Sequence, residues 1–232
     1  MLVTRASSNV LKRAIQSAAS SVLVDLESSV APAEIPRARE LAAEFFASTE
    51  PSCVRGVRLN PIATDQGRDD LQWLAALDAK PEAVLVSHVE TAEELEFFAA
   101  AMPDTPVAAL LESGAAVERS SEIAAANGPV VMLVFGLGDY SRDTGLPMTW
   151  EGLLPARTRV AESAHAQGIV ASDGPFIDEA GMRDLKSFLE RVRTTDYVEL
   201  RAHLQRLEDL GFGAMSTAFP DHVPLINEQF ER

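Results

Sequence analysis

The chain has 232 residues, of which 47% are hydrophobic and 24% charged, and its formal net charge at pH 7 is −15. This composition is that of a folded globular protein, and the excess of acidic residues disfavours binding to nucleic-acid phosphates. No apolar stretch approaches the roughly 20 residues that span a bilayer, and the first residues lack the apolar segment of a secretory signal. The single cysteine, Cys53, excludes an intramolecular disulfide. The sequence therefore predicts a cytoplasmic protein, with neither nucleic acid nor a membrane as a partner.

Short apolar and β-branched runs alternate with helical patterns from one end of the chain to the other. The predicted strands are residues 2–4, 22–26, 54–59, 83–87, 107–112, 130–135, 168–172 and 212–217. Between them, Ser8 can cap a helix, Thr91 and Glu94 form a capping box, and Gly168 ends a helix over residues 157–167. This order predicts an α/β protein with a compact (β/α)8 TIM barrel as a single domain over residues 1–232.

Two features of the sequence leave alternatives to this prediction open. If the short first strand is absent, the same alternation fits an open doubly wound sheet. After the eighth strand, residues 224–232 suffice only for a short helix, so either this helix or a partner subunit is expected to close the barrel.

Two strongly apolar runs end in a carboxylate. Residues 107–111 are followed by Glu112, and residues 130–135 lead through Gly136, Leu137 and Gly138 to Asp139. Such runs are typical of strands buried on both faces of a parallel sheet, and residues that follow them lie at the rim where α/β enzymes carry out chemistry. Two carboxylates there could hold one divalent cation, and hard oxygen ligands suit Mg²⁺ or Mn²⁺.

The other strand ends add an acidic excess around one arginine. The predicted rim carries Asp25, Glu27, Arg58, Asn60, His88, Glu90, Glu112, Asp139 and Asp173. Several members have plainer interpretations: Asp25 and Glu27 could bind loop amides, and Arg58 could only neutralise acids. For Asp173 a turn role is favoured, for Glu90 a solvated first turn, and for His88 a hydrogen bond. The amides of Gly136, Leu137 and Gly138 suit a substrate carboxylate, and the segment lacks the third glycine of a dinucleotide fingerprint.

Six short segments follow one another in the order found in a known family. They are Val-Leu-Val-Asp-Leu-Glu at 22–27, Val-Arg-Leu-Asn at 57–60, Val-Glu-Thr-Ala at 89–92, Ala-Leu-Leu-Glu-Ser at 109–113, Phe-Gly-Leu-Gly-Asp at 135–139, and Gly-Phe-Gly at 211–213 with Pro220. The chain thereby resembles the citrate lyase beta-subunit-like family, which includes malyl-CoA and citramalyl-CoA lyases of the aldolase and citrate lyase superfamily.

The resemblance implies a (β/α)8 barrel, usually trimeric, with Mg²⁺ at the rim. It implies Glu112 and Asp139 as metal ligands, Arg58 as the contact to the substrate, and Asp25 and Glu27 as residues that orient metal-bound water. Glu112 and residues 136–138 would also lie against the substrate. The implied reaction is reversible cleavage of a 3-hydroxyacyl thioester into a 2-oxo acid and the enolate of an acyl-CoA. Magnesium would act as a Lewis acid, and Arg58 would add positive charge where negative charge develops.

The chain departs from the family pattern at several places. These are Ser28 for an aspartate, Ser87-His88 for Pro-Lys, Arg5-Ala6 for Pro-Gly, and residues 218–222 for Ile-His-Pro-x-Gln. The family's C-terminal lid, which in some members supplies a catalytic acid to the next subunit, is expected to be missing. These departures keep two alternatives open: a CoA-independent class II pyruvate-type aldolase, with His88 as a weak candidate base, and a metal- and oxo-acid-binding protein without turnover.

Overall fold

A computed structural model describes residues 1–48 and 53–230 of the protein. In these ranges the strands β1 to β8 are, in order, Leu2–Arg5, Ser21–Asp25, Val54–Leu59, Ala83–Val86, Val107–Leu111, Val130–Phe135, Val170–Asp173 and Ala214–Met215. The predicted bounds of β3 and β6 are confirmed, and those of the other strands shift by one to several residues. The largest difference is β8, where two residues pair with β7 instead of the predicted six.

Helices separate the strands. The helices α1 to α12 are Ser8–Gln16, Ile35–Ala47, Asp65–Ala76, Ala92–Ala101, Gly114–Glu118, Ser120–Ala124, Leu137–Thr144, Trp150–Ala166, Glu179–Arg183, Leu185–Thr194, Val198–Asp209 and Val223–Phe230. The last corresponds to the short helix expected after β8, whereas residues 231–232 lie outside the described ranges. No helix within residues 1–48 and 53–230 is both long and apolar enough to cross a membrane.

All eight strands are parallel and lie in the order β1 to β8. The two ends of the sheet meet, because Thr217 forms a parallel bridge with Leu2 and accepts a 2.9 Å hydrogen bond from the backbone N–H of Val3. This curled parallel sheet with helices outside is a TIM-barrel-like fold, and the open doubly wound alternative is wrong. Since all strands run the same way, their carboxyl ends form one rim.

Apolar side chains cover both faces of the sheet. A small cluster fills its inner face, with Leu23, Leu85, Ala108, Leu110 and Val134 buried there. Their strand neighbours, such as Val24, Val86 and Phe135, point the other way into the larger cluster between sheet and helices. The alternation fixes which face each rim residue takes: Asp25 and Glu112 follow the inner set in steps of two residues, whereas Asp173 pairs in register with outward-facing Phe135.

Candidate functional site

Arg58 and Asp25 form an ion pair at the inner rim. Asp25 ends β2 and pairs in register with Arg58 on β3. Both Nε–Oδ1 and Nη2–Oδ2 distances are 2.7 Å, and Asp25 also accepts the backbone N–H groups of Glu27 and Ser29. Burial favours the neutral acid, but Arg58 and these donors outweigh it and hold the pKa of Asp25 below its usual value. The pair is therefore charged at neutral pH.

Glu27 and Ser28 complete the surroundings of Arg58. Nη2 of Arg58 also donates to Ser28 Oγ at 2.6 Å, and Nη1 lies 3.0 Å from Glu27 Oε2. Nε and Nη2 are thus fully engaged, whereas Nη1, which lies beside Glu27, keeps a second N–H group that can contact a ligand. Both interpretations of Arg58 from the sequence are therefore compatible with its position, because it neutralises acids and still borders the open rim.

Glu112 is the most perturbed acid at the rim. It follows β5, is only 7% exposed, and accepts the backbone N–H of His88 at 3.1 Å. Burial, together with the nearby charges of Asp139 and Glu27, raises the pKa of Glu112 to about 8 despite that hydrogen bond and the charge of Arg58. Without a cation Glu112 is therefore largely protonated at pH 7, and a bound cation would favour its carboxylate form.

Asp139 and His88 lie beside Glu112. Asp139 is in the first turn of α7 rather than at a strand end, and its carboxylate accepts a hydrogen bond from Arg142 on the same helix. His88 Nδ1 is 3.4 Å from Glu112 Oε2. One ligand atom from each of His88, Glu112 and Asp139 can be chosen so that all three lie within 4.8 Å of one another. Two carboxylate oxygens and one imidazole nitrogen fit the donor chemistry of a divalent cation.

Gly136 permits this arrangement. A Cβ atom at residue 136 would lie 2.3 Å from Cγ of Glu112, so any larger residue would displace the carboxylate. Gly136 is also the residue preceding α7, and no side chain caps the first turn of that helix. The Gly136 N–H donates to the Leu111 carbonyl at 2.9 Å, so this amide, expected to bind a substrate carboxylate, is not free. The first-turn N–H groups of Leu137 and Gly138, which line the rim cavity, remain as donors for an anionic group.

A cavity of about 490 Å³ opens at this rim and gathers most of the predicted site residues. Its lining includes Asp25, Arg58, Glu112, Gly136, Leu137, Gly138 and Asp139. Glu27 is held at the edge through Arg58, and Asn60 turns away to bind the Leu26 carbonyl and Asp70. Glu90, expected to be solvated, is half-buried and accepts the Ser113 hydroxyl.

The turn role favoured for Asp173 is wrong. Asp173 is the last residue of β7, is fully buried, and pairs with Arg157 of α8 at 3.1 Å and with His203 of α11 at 3.1 Å. Burial opposes ionisation, but the charge of Arg157 prevails and lowers the pKa of Asp173. This residue faces the helices and is not part of the rim cavity.

Sequence reasoning missed several residues of the cavity. The cavity is also lined by Thr4 and Arg5 at the end of β1, by Ser29, by Ser216 and Thr217 after β8, and by the apolar Val10 and Met182. The strand ends could have suggested the first group, because they meet at the same rim. Val10 and Met182 come from helices and carry no such signal.

Residues 1–198 match the family model described as HpcH/HpaI aldolase/citrate lyase, and the chain belongs to this family. It is 29% identical over 226 residues to a (3S)-malyl-CoA thioesterase of Cereibacter sphaeroides strain KD131, covering 95% of this chain and 72% of the relative. It is 27% identical to the citrate lyase subunit beta of Leuconostoc mesenteroides subsp. cremoris, covering 91% and 69% of the two chains.

Solved structures show the same architecture. RipC from Yersinia pestis superposes with a TM-score of 0.78 at 27% identity, covering 99% of this chain and 93% of that one. The citrate lyase beta subunit from M. tuberculosis, solved with oxaloacetate and magnesium, gives a TM-score of 0.74 at 22% identity, covering 100% and 96%. At 22% identity, the similarity to the M. tuberculosis protein shows a shared fold only.

Proposed function

We propose that the protein is a Mg²⁺-dependent carbon–carbon lyase of the citrate lyase beta-like type. Its substrate would be a 3-hydroxyacyl thioester, which it cleaves into a 2-oxo acid and an acyl-CoA enolate, or forms in reverse. The observation that carries this proposal is the convergence of Arg58, Glu112 and Asp139 on one rim cavity. Enzymes of the same family, and a family-like fold solved with oxaloacetate and magnesium, support it.

Each rim residue has a role in this reaction. Glu112 and Asp139 would hold the ion, which when bound polarises the oxygen of the oxo acid. Arg58 Nη1 would bind the substrate carboxylate or the oxygen on which negative charge develops. The first-turn amides of α7 would bind and orient the remaining carboxylate oxygens. Asp25 and Glu27 hold the guanidinium of Arg58 in place and would orient water on the ion.

Thioester hydrolysis is a second candidate. It is favoured by the (3S)-malyl-CoA thioesterase relatives, which match 95% of this chain. Both reactions would use the same cation and the same thioester, but hydrolysis adds water to the thioester carbonyl and leaves the carbon skeleton intact. Products therefore separate them: malyl-CoA gives glyoxylate and acetyl-CoA by cleavage, and malate and free CoA by hydrolysis.

The first test is binding of 2-oxo acids. We expect oxaloacetate, glyoxylate or pyruvate to bind in isothermal titration only when Mg²⁺ is present. Glu112→Gln and Asp139→Asn should each lower this affinity by at least about a hundredfold, because each removes a charged ligand. Glu118→Gln, which removes an exposed carboxylate outside the cavity, is the matched control. Oxo-acid binding that is absent, or that ignores Mg²⁺, would contradict the proposal.

The second test follows the products with malyl-CoA or with acetyl-CoA and glyoxylate. Cleavage or condensation supports the lyase, and release of free CoA supports the thioesterase. Condensation of pyruvate with an aldehyde, without CoA, would instead identify the class II aldolase. Mg²⁺-dependent binding without any of these products would leave a binding protein of the same family.

A further inference from the structure

We propose that His88 is a third protein ligand of the divalent cation, so that the site binds first-row transition ions more tightly than Mg²⁺. This inference rests on the proposed function, since it assumes that Glu112 and Asp139 hold the ion. It assigns this chain a mixed nitrogen and oxygen donor set. It also gives His88 a role as a metal ligand, which its place after β4 in the sequence does not predict.

The backbone holds His88 in an unusual conformation. His88 follows β4 and has a φ of +48°, in the left-handed region that side chains other than glycine rarely adopt. Hydrogen bonds fix this turn: the His88 N–H donates to Glu112 Oε2, and the next N–H, of Val89, donates to the Leu110 carbonyl at 3.1 Å. A strained turn of this kind persists where the surrounding structure determines it, and such turns concentrate at functional sites.

The turn places the imidazole against Glu112 without a good hydrogen bond. The Nδ1–Oε2 distance of 3.4 Å exceeds the usual range, and the same oxygen already accepts the His88 backbone N–H. Within the described part of the chain, the imidazole ring has no hydrogen bond. The ring is 37% exposed and borders Glu112, so a ring nitrogen is free to bind a ligand at the rim.

The spacing of the three donors suits a shared ion. Two ligand atoms at about 2.1 Å from an ion are at most about 4.2 Å apart. The three ligand atoms lie within 4.8 Å of one another, so side-chain rotations that move each atom by well under 1 Å bring them to a shared ion. Asp139 must turn from Arg142, which is exposed and can remain in solvent. In residues 1–48 and 53–230 no other group of three such side chains meets this spacing.

Donor chemistry then determines the preferred ion. Mg²⁺ binds oxygen almost exclusively and gains little from an imidazole, whereas Mn²⁺ and Co²⁺ both bind imidazole nitrogen, Co²⁺ more strongly in the Irving–Williams order. A nitrogen at residue 88 therefore strengthens binding of Co²⁺ more than binding of Mg²⁺. Removing it should weaken the first and leave the second nearly unchanged.

The test compares metals and variants in the chelator-stripped protein. Isothermal titration with MgCl₂, MnCl₂ and CoCl₂ should show the tightest binding for Co²⁺ in the parent protein. His88→Asn is the informative variant, because asparagine tolerates the left-handed conformation. It should lower Co²⁺ affinity by about 10- to 100-fold and change Mg²⁺ affinity by less than about threefold. His165→Asn, which removes a histidine bound to the Gly211 carbonyl, controls for adventitious Co²⁺ binding.

A spectroscopic measurement on the parent protein avoids any concern about folding of the variant. Electron spin echo modulation of the Mn²⁺-loaded protein should contain a ¹⁴N coupling from a directly bound imidazole, lost in His88→Asn. Absence of this coupling, or equal loss of Mg²⁺ and Co²⁺ affinity in His88→Asn, overturns the inference. If either of these outcomes is observed but metals bind to the parent protein and Glu112→Gln abolishes that binding, only the role of His88 fails and the proposed function stands. If Glu112→Gln and Asp139→Asn leave metal binding unchanged, the proposed function fails as well.

Discussion

Two strands of the sheet, β2 and β7, end in an aspartate that pairs with an arginine, yet the surroundings of the two pairs differ. Arg58 and Asp25 lie on the inner face, border the rim cavity, and share their space with Glu27 and Glu112. Arg157 and Asp173 lie on the outer face, where α8 and α11 cover them, and are 3% and 0% exposed. The residue types are the same, and the side of the strand decides whether the pair faces a ligand or the helical layer.

The charge balance differs in the same way. At the inner rim one arginine faces several acids, and the pKa of Glu112 rises to about 8 as a result of burial and uncompensated charge. On the outer face Arg157 and His203 both contact Asp173, and the pKa of Asp173 is lowered. The guanidinium of Arg157 also stacks at 4.9 Å on Trp150. An acid excess thus marks the region where a cation can act, and a balanced pair marks a structural connection.

The largest expected effect is on stability, and it tests the structural role of the outer pair. Arg157→Leu leaves Asp173 buried with His203 as its remaining side-chain partner, and should lower the free energy of unfolding by about 3–5 kcal/mol. Arg58→Leu should cost only about 1–2 kcal/mol, because Asp25 keeps two backbone N–H donors and lies beside a cavity. Chemical denaturation measures both.

The double variant Arg157→Met with Asp173→Leu sharpens this test. Because it removes both charges and fills the volume with apolar groups, we expect it to recover most of the stability lost in Arg157→Leu. Equal losses for Arg157→Leu and Arg58→Leu would contradict the distinction between the two pairs.

A pH-dependent effect is expected from His222, a buried group for which the charge of Asp221 does not offset the effect of burial. It is 1% exposed, its Nδ1 has no hydrogen-bond partner among the described residues, and burial lowers its pKa to about 4. Between pH 6.5 and about 4 the unfolded chain binds a proton here that the folded protein does not, so stability falls as the pH is lowered.

His222→Phe should remove this contribution while keeping the ring contacts to Phe219 and Tyr197. The stability of the variant relative to the parent should increase by up to about 3 kcal/mol from pH 7 to pH 4, measured by denaturation at each pH. A difference that stays constant over this interval would show that folding does not lower the pKa of His222.

The smallest expected effect concerns ligand binding at the inner pair. Arg58→Lys keeps a positive charge but loses the bidentate geometry, so oxo-acid affinity should fall about tenfold while Mg²⁺ affinity is preserved. Arg55→Lys is the matched control, because Arg55 lies on the same strand but pairs with Glu82 away from the rim. Equal oxo-acid affinity in all three proteins would limit Arg58 to neutralising Asp25.

The sequence was sufficient for the architecture because apolar runs and helix signals are local. The runs that become β3 and β6 are bounded by residues that do not continue a strand, and both were predicted with the observed ends. The eighth strand was predicted too long because residue preferences do not show how many residues find a partner, and β7 offers β8 only Ser172 and Asp173. The rim was predictable because parallel strands all end at the same edge.

The parts that sequence reasoning missed depend on distant residues or on the backbone. Asp173 resembled a turn residue because its partners, Arg157 and His203, come from helices whose facing sides the local pattern does not reveal. The position of His88 follows from a left-handed turn that its residue type does not predict. Glu112 and Asp139 were brought together as the sequence predicts, although Asp139 reaches the rim from α7 rather than from β6.

Gly136 gives the carboxylate of Glu112 the space it occupies, so the position of a proposed metal ligand depends on a residue that does not itself bind the ion. A methyl group there would push the carboxylate aside while every ligand and every charge stayed in the sequence. At the proposed cation site, one substitution at residue 136 is therefore expected to lower the affinity for the ion, and its reversal to restore it. The absence of a side chain at residue 136 thus controls the position of the Glu112 carboxylate.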